Sequence, residues 1–267
     1  MFAAFIYKPA AAAGALPQHA RGFREIAERK ELSMRYQNSY SSVLHASPAD
    51  RSQFLTGVAG WLVGGLTLTA IVNIASVLFV VPAVMGLGQW GILAVIYGSM
   101  FLSQSVAKNM VYGESKLPGF VLGTVAQGIS FGFILFATLF GVGDIADGLL
   151  LVGQCMGMVV LSGAAMLVYV FTEKREFSLL RSGLSMMGIP MLVLMAISFI
   201  WPIGGIAGIA LSAVFVAVSA GSLLYKLNHV VHTMDTSQTM EAGYELTLSI
   251  VVLLWNLLAL FSRLRRR

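Results

Sequence analysis

The sequence is poor in charge. Only 11% of its 267 residues are Asp, Glu, Lys or Arg, against 57% hydrophobic residues, whereas a soluble domain carries about 25% charged and about 45–50% apolar residues. There is one cysteine, Cys155, so no intramolecular disulfide can form, and its apolar surroundings make it a small buried hydrophobe. Catalytic signatures are also missing: no HExxH, no phosphate-binding Walker loop, no GxSxG and no Cys/His pairing at metal-ligand spacing. These absences argue against a soluble domain, a disulfide scaffold and an enzyme, and they imply no cofactor. The net charge of +5 does not imply nucleic acid, because the basic residues gather in chain ends and loops without a basic groove motif.

Long apolar runs are what remains. A bilayer core of ~30 Å takes about 20 apolar residues per helix. Runs of that order lie near 54–80, 88–107, 119–140, 148–171, 183–202, 205–225 and 246–262. The mean hydropathy of +0.82 is spread over this length, so a single anchor on a soluble domain does not explain it. Lipid offers no partner for free backbone N–H and C=O groups, and no alternating ten-residue pattern points to a barrel. The sequence therefore predicts an all-α integral membrane protein, a seven-transmembrane-helix bundle over residues 54–267.

Residues 1–53 form a polar tail, with seven basic residues from Lys8 to Arg51 and four acids from Glu25 to Asp50. The opening, Met1 to Tyr7, has its charge after the apolar stretch, which is not the order of a secretory signal, and is read as retained. Breaks between runs carry turn chemistry: Pro82 and Gly86, Lys108 to Pro118, Gly141 to Gly148, Thr172 to Arg181, and Pro202 with Gly204 and Gly205.

Positive charge alternates across these breaks. The second loop has Lys108 and Lys116, the fourth Lys174, Arg175 and Arg181, and the sixth Lys226, while the odd loops have none. The tail and even loops are therefore expected on the cytoplasmic side of the plasma (inner) membrane. Seven crossings place the C-terminus outside although it carries Arg263, Arg265, Arg266 and Arg267. Either the last segment is central and crosses fully, outvoted by the first spans, or it is re-entrant and returns.

Small residues recur where helices would pack: Gly57, Gly60, Gly64 and Gly65; Gly153 and Gly157; Gly204, Gly205 and Gly208. Polar residues at depth are neutral, namely Asn73, Gln127, Gln154 and Asn256, and suit interhelical hydrogen bonds. The one dense polar patch is 225–245, YKLNHVVHTMDTSQTMEAGYE, with Lys226, His229, His232, Asp235, Glu241 and Glu245. It is open to three readings: a solvated cytoplasmic loop, a proton-sensitive gate coupling the imidazoles to Glu241 or Glu245, or a His–His metal site lacking an identified third ligand.

The stretch YVFTEKREFSLLRSGLSMMG at 169–188 resembles the aromatic–Thr–x–Lys–Arg–Asp–Leu segment of the Bax inhibitor-1 (transmembrane Bax-inhibitor-motif) family. FVLGTVAQGISFGFIL at 120–135 is similar to that family's third helix and FLTGVAGWLVGGLTLTA at 54–70 to its first. LYKLNHVV followed by LTLSIVVLLWNLLALFSRL stands in the place of its C-terminal signature.

The resemblance implies a pH-sensitive calcium leak latched by a pair of aspartates. This chain departs from it in three places. Lys226 stands where the first aspartate would be, the second falls at or near Ser249, and Gln127 replaces a glutamate in the third helix. Calcium prefers several oxygens, largely anionic, and an ammonium at the mouth repels it. A latch would then use other partners, such as Lys226 with Glu245. Two functions follow as expectations: a pH-responsive cation leak or a degenerate relative of one, or a non-transporting protein that restrains a membrane-bound AAA protease through its N-terminal tail. A small-molecule carrier would show an internal repeat, and none is found.

Overall fold

The first helix begins where its backbone is capped. The Ser47 hydroxyl accepts from the Asp50 N–H at 3.2 Å and Pro48 follows at the first helical position, where its missing N–H costs nothing. From there the computed structural model, which describes residues 43, 46–141, 144–172 and 205–265, has six long apolar helices. They are α1 (Pro48–Met85), α2 (Gly88–Val111), α3 (Lys116–Gly141), α4 (Ile145–Thr172), α5 (Gly205–His232) and α6 (Thr239–Arg265). Each exceeds the length a bilayer core requires, and no extended strand occurs among the described residues. The protein is an all-helical, multi-pass membrane protein. The fifth expected span, 183–202, and most of the 169–188 motif lie outside the described residues.

One boundary differs from the sequence expectation. Pro82 does not end α1, which runs on to Met85 through a π-helical segment, Ser76–Val80. A proline ring collides with the carbonyl four residues back, here Leu78, and a widened turn at that place relieves the collision. The chain then reverses over Gly86 and Leu87, and Gly88 takes φ +72°, a conformation that glycine adopts without cost. A second π segment, Leu102–Ala107, lies in α2.

The central feature is a parallel triad of α1, α3 and α6. Along α1 and α6, Gly57 abuts Thr239, Trp61 abuts Gly243 and Gly65 abuts Thr247, so both chains ascend together. Along α1 and α3, Val72 meets Gly128 and Ser76 meets Gly132, and Gly123 of α3 meets the ring of Tyr244 in α6. A Cβ on Gly65 would lie 2.6 Å from Thr247 Oγ1 and 3.0 Å from Phe120 Cζ, so the small residue lets backbones approach where lipid supplies no hydrophobic drive between helices. Gly60, Gly64, Gly153 and Gly157 have no neighbour within 4 Å among the described residues and take no part in the triad packing. About 56% of the apolar stretches of α3 and α6 is buried, against 17% for α2 and α4, which places α3 and α6 inside and leaves faces of α2 and α4 for lipid.

The last helix is central, and it is not re-entrant. Its first turns pair with the ends of α2 and α3 through Glu245–Lys108 and Glu241–Lys116. At its far end Arg263 Nη1 donates to Gly208 O at 2.7 Å and Arg265 Nη1 to Asp147 O at 3.0 Å, at the starts of α5 and α4. One unbroken 27-residue helix of ~40 Å at ~1.5 Å per residue therefore crosses the whole bundle. The chain leaves α4 at the end where Arg51 lies 5.0 Å over Phe171 and enters α5 at the opposite end.

Candidate functional site at the start of the last helix

The patch at 225–245 is not one loop. Lys226, His229 and His232 belong to α5, Glu241 and Glu245 belong to α6, and only 233–238 turn between them. Two acids expected at a watery mouth are thus inside the bundle, Glu241 at 3% and Glu245 at 6% exposure. A buried carboxylate persists only when paired or hydrogen-bonded.

Each acid has its own ammonium. Lys108 Nζ lies 2.7 Å from Glu245 Oε1, which also accepts from the Tyr112 hydroxyl at 2.8 Å. Lys116 Nζ lies 2.6 Å from Glu241 Oε1, while Glu241 Oε2 has no hydrogen-bond partner among the described residues. The acids sit one turn apart on α6, facing the α2–α3 connection that carries Lys108, Tyr112 and Lys116. Both lysine side chains stay nearly half exposed, with their stems along the protein and their heads toward water. Tyr112, outside the spans, has its hydroxyl held well above its ordinary value by burial first and then by the Glu245 charge.

This arrangement brings Lys226 and Glu245, the expected latch partners, near each other without a direct ion pair. Lys226 is near enough to act on Glu245 through space but lies beyond ion-pair distance, and Lys108 holds the direct bond. The imidazoles have neighbours on their own helix. His232 Nδ1 is 3.2 Å from Asn228 Nδ2 and 3.1 Å from Asn228 O, and His229 stacks on Tyr225 with centroids 6.1 Å apart. Among the described residues no group of three His, Cys, Asp or Glu can hold a metal. Ser249 donates at 2.8 Å to the Glu245 carbonyl of its own helix.

Below the acids the interior is polar and neutral. Thr124, Gln127, Ser130 and Thr138 form a stripe on α3, each fully buried, extending ~21 Å along the helix. Gln127 Oε1 accepts from Ser103 Oγ at 3.1 Å, and its Nε2 has no partner among the described residues. Ser130 Oγ meets Ser99 Oγ at 2.5 Å, and Thr138 Oγ1 meets Ser262 Oγ at 3.3 Å. Tyr244 is fully buried and donates to the Ser103 carbonyl at 2.6 Å. Lys108, Lys116 and Tyr112 were read as loop residues in the sequence. The signal that finds them is charge arithmetic, since two acids drawn into a helix require cations at the neighbouring helix ends.

A parallel helical triad with lysine-neutralised acids at one end and a neutral polar stripe beneath makes this a multi-pass helical membrane bundle. The family profile described as "Inhibitor of apoptosis-promoting Bax1" matches residues 51–266, and the chain belongs to that family. It is 26% identical over 197 residues to "Modulator of FtsH protease YccA" of Escherichia coli (strain K12), covering 72% of this chain and 80% of that protein. The same figures hold for "Inner membrane protein YccA" of Escherichia coli O6:H1.

Proposed function

We propose that this chain is an inner-membrane modulator of a membrane-bound AAA protease, without transport or catalysis of its own. The observation that carries the reading is the neutralisation of both interior acids by lysines of neighbouring helix ends. A hard cation needs anionic oxygens, and here one oxygen of each acid is already taken by an ammonium. Similarity over most of both chains to a protein named as a modulator of FtsH protease supports the same reading. In this topology the tail and the Lys108–Glu245 end face the cytoplasm, residues 183–202 supply a seventh span, and the tail meets the protease.

The test is reconstitution of the full chain with a bacterial membrane-bound AAA protease and a membrane substrate in proteoliposomes. Added chain should slow substrate turnover, and deletion of residues 1–42 should abolish the effect. Unchanged turnover at saturating chain would overturn the proposal. A pH-responsive cation leak is the second reading, favoured by the buried stripe of Thr124, Gln127, Ser130 and Thr138. Flux of calcium, potassium or protons above that of empty liposomes, changing between neutral and acid pH, would move the assignment to it.

A further inference from the structure

Adjacent residues of α6 grip adjacent features of α2. Tyr244 donates to the carbonyl of Ser103, inside the π segment Leu102–Ala107, and Glu245 takes Lys108, the first residue after that segment. A π turn holds one more residue than an α turn over the same length, so its carbonyls are open to donors from outside the helix. The buried Tyr244 hydroxyl uses one of them. Ser103 Oγ ties the same turn to Gln127 of α3. Tyr244 itself is fixed from behind, its ring lying over Gly123, where no Cβ would fit, and 5.9 Å from Phe120.

Closing the π turn to an α turn rotates everything beyond it by about 100° about the helix axis, the angle of one residue. Lys108 and Tyr112 would then leave the face they share with Glu245. We propose that α2 is a two-position rotary switch, its π turn held by the Tyr244 hydroxyl, and that this turn sets whether Lys108 and Tyr112 meet Glu245. Charged groups facing the pair are Lys226 from α5 and Glu241 from α6, with Lys116 beyond them on Glu241. Tyr244 is a positioning residue here, acting on Lys108 through the backbone of α2. The switch does not depend on what the protein modulates.

The experiment reads the acylation rate of Lys108 by a small amine-reactive reagent, by peptide mass spectrometry on the intact protein in detergent. Glu245→Gln sets the unpaired rate, expected about one-and-a-half- to fivefold above wild type, the range for a partly exposed ion pair. Tyr244→Phe keeps the ring and should raise the rate to that of Glu245→Gln. Ser103→Ala removes the other tie and should raise it part of the way. Deleting Val106, a 40% exposed residue of the π segment, converts the segment to α-helix while keeping Lys108 in its original direction. In that background Tyr244→Phe should leave Lys108 at the wild-type rate. Wild-type protection of Lys108 in both Tyr244→Phe and Ser103→Ala, no rise in Glu245→Gln, or failure of the deletion to restore protection would each overturn the switch.

Discussion

Gly123→Ala is the sharpest perturbation of the parallel triad. Its Cβ would enter the ring and hydroxyl of Tyr244, a fully buried side chain whose hydroxyl is committed to Ser103 O. Overpacking of a tight site costs about 1–3 kcal/mol, and loss of the displaced hydrogen bond about 0.5–1.5 kcal/mol more. Alanine returns about 0.5–1 kcal/mol of backbone entropy, leaving a net loss of about 1–3.5 kcal/mol. Gly64→Ala is the matched control, because nothing among the described residues lies within 4 Å of its Cβ, so within the triad it keeps the entropic gain alone. Cys155 supplies the assay: it is the single cysteine and fully buried, so a thiol-reactive dye reports unfolding on heating in detergent. Gly123→Ala should expose Cys155 at a lower temperature than wild type and Gly64→Ala at the same or a higher one. Equal midpoints for the two variants, or a loss in Gly64→Ala as large as in Gly123→Ala, would refute the triad packing.

Lys108→Met strips the closest cation from Glu245, which is 6% exposed, and should cost about 1–3 kcal/mol. Glu245→Gln should cost less, since the lysine head can turn to water, and the double variant should recover most of the loss; the order of unfolding midpoints checks this. Because its hydroxyl is held above the usual ~10 by burial and the Glu245 charge, Tyr112 adds stability that is complete below pH ~10 and fades as pH rises beyond it. Tyrosinate absorbance and unfolding should show a steeper alkaline loss in wild type than in Tyr112→Phe. In a Cys155→Ala background, Leu264→Cys should react with an impermeant maleimide from outside intact cells and Glu114→Cys only after permeabilisation; reaction of both from one side would refute the full crossing by α6.

Hydropathy made the membrane class and all six described helices plain, because long uncharged runs leave few alternatives in lipid. It failed at 225–245, where charge was taken as a sign of loop, although α5 and α6 carry Lys226, Glu241 and Glu245 within their length. Ion pairing with distant residues such as Lys108 is a tertiary fact with no local signature. The glycine stripes divided for a similar reason. Gly57 and Gly65 have partners on α6 while Gly60 and Gly64 have none among the described residues, and only the neighbouring helix decides which face matters. Gln127 was recognised as a buried polar residue, but its bond to Ser103 depends on a π turn whose sequence, LSQSVA, has no distinguishing mark.

The helix at the heart of this bundle is translated after the other five described helices. Until Arg265 clears the ribosome, the grooves of α1 and α3 that receive Thr239, Tyr244 and Thr247 stand vacant within the lipid, and the acids of α6 have yet to meet their lysines. A polypeptide cut short before residue 239 would therefore keep its other described helices while lacking the one that fills these grooves.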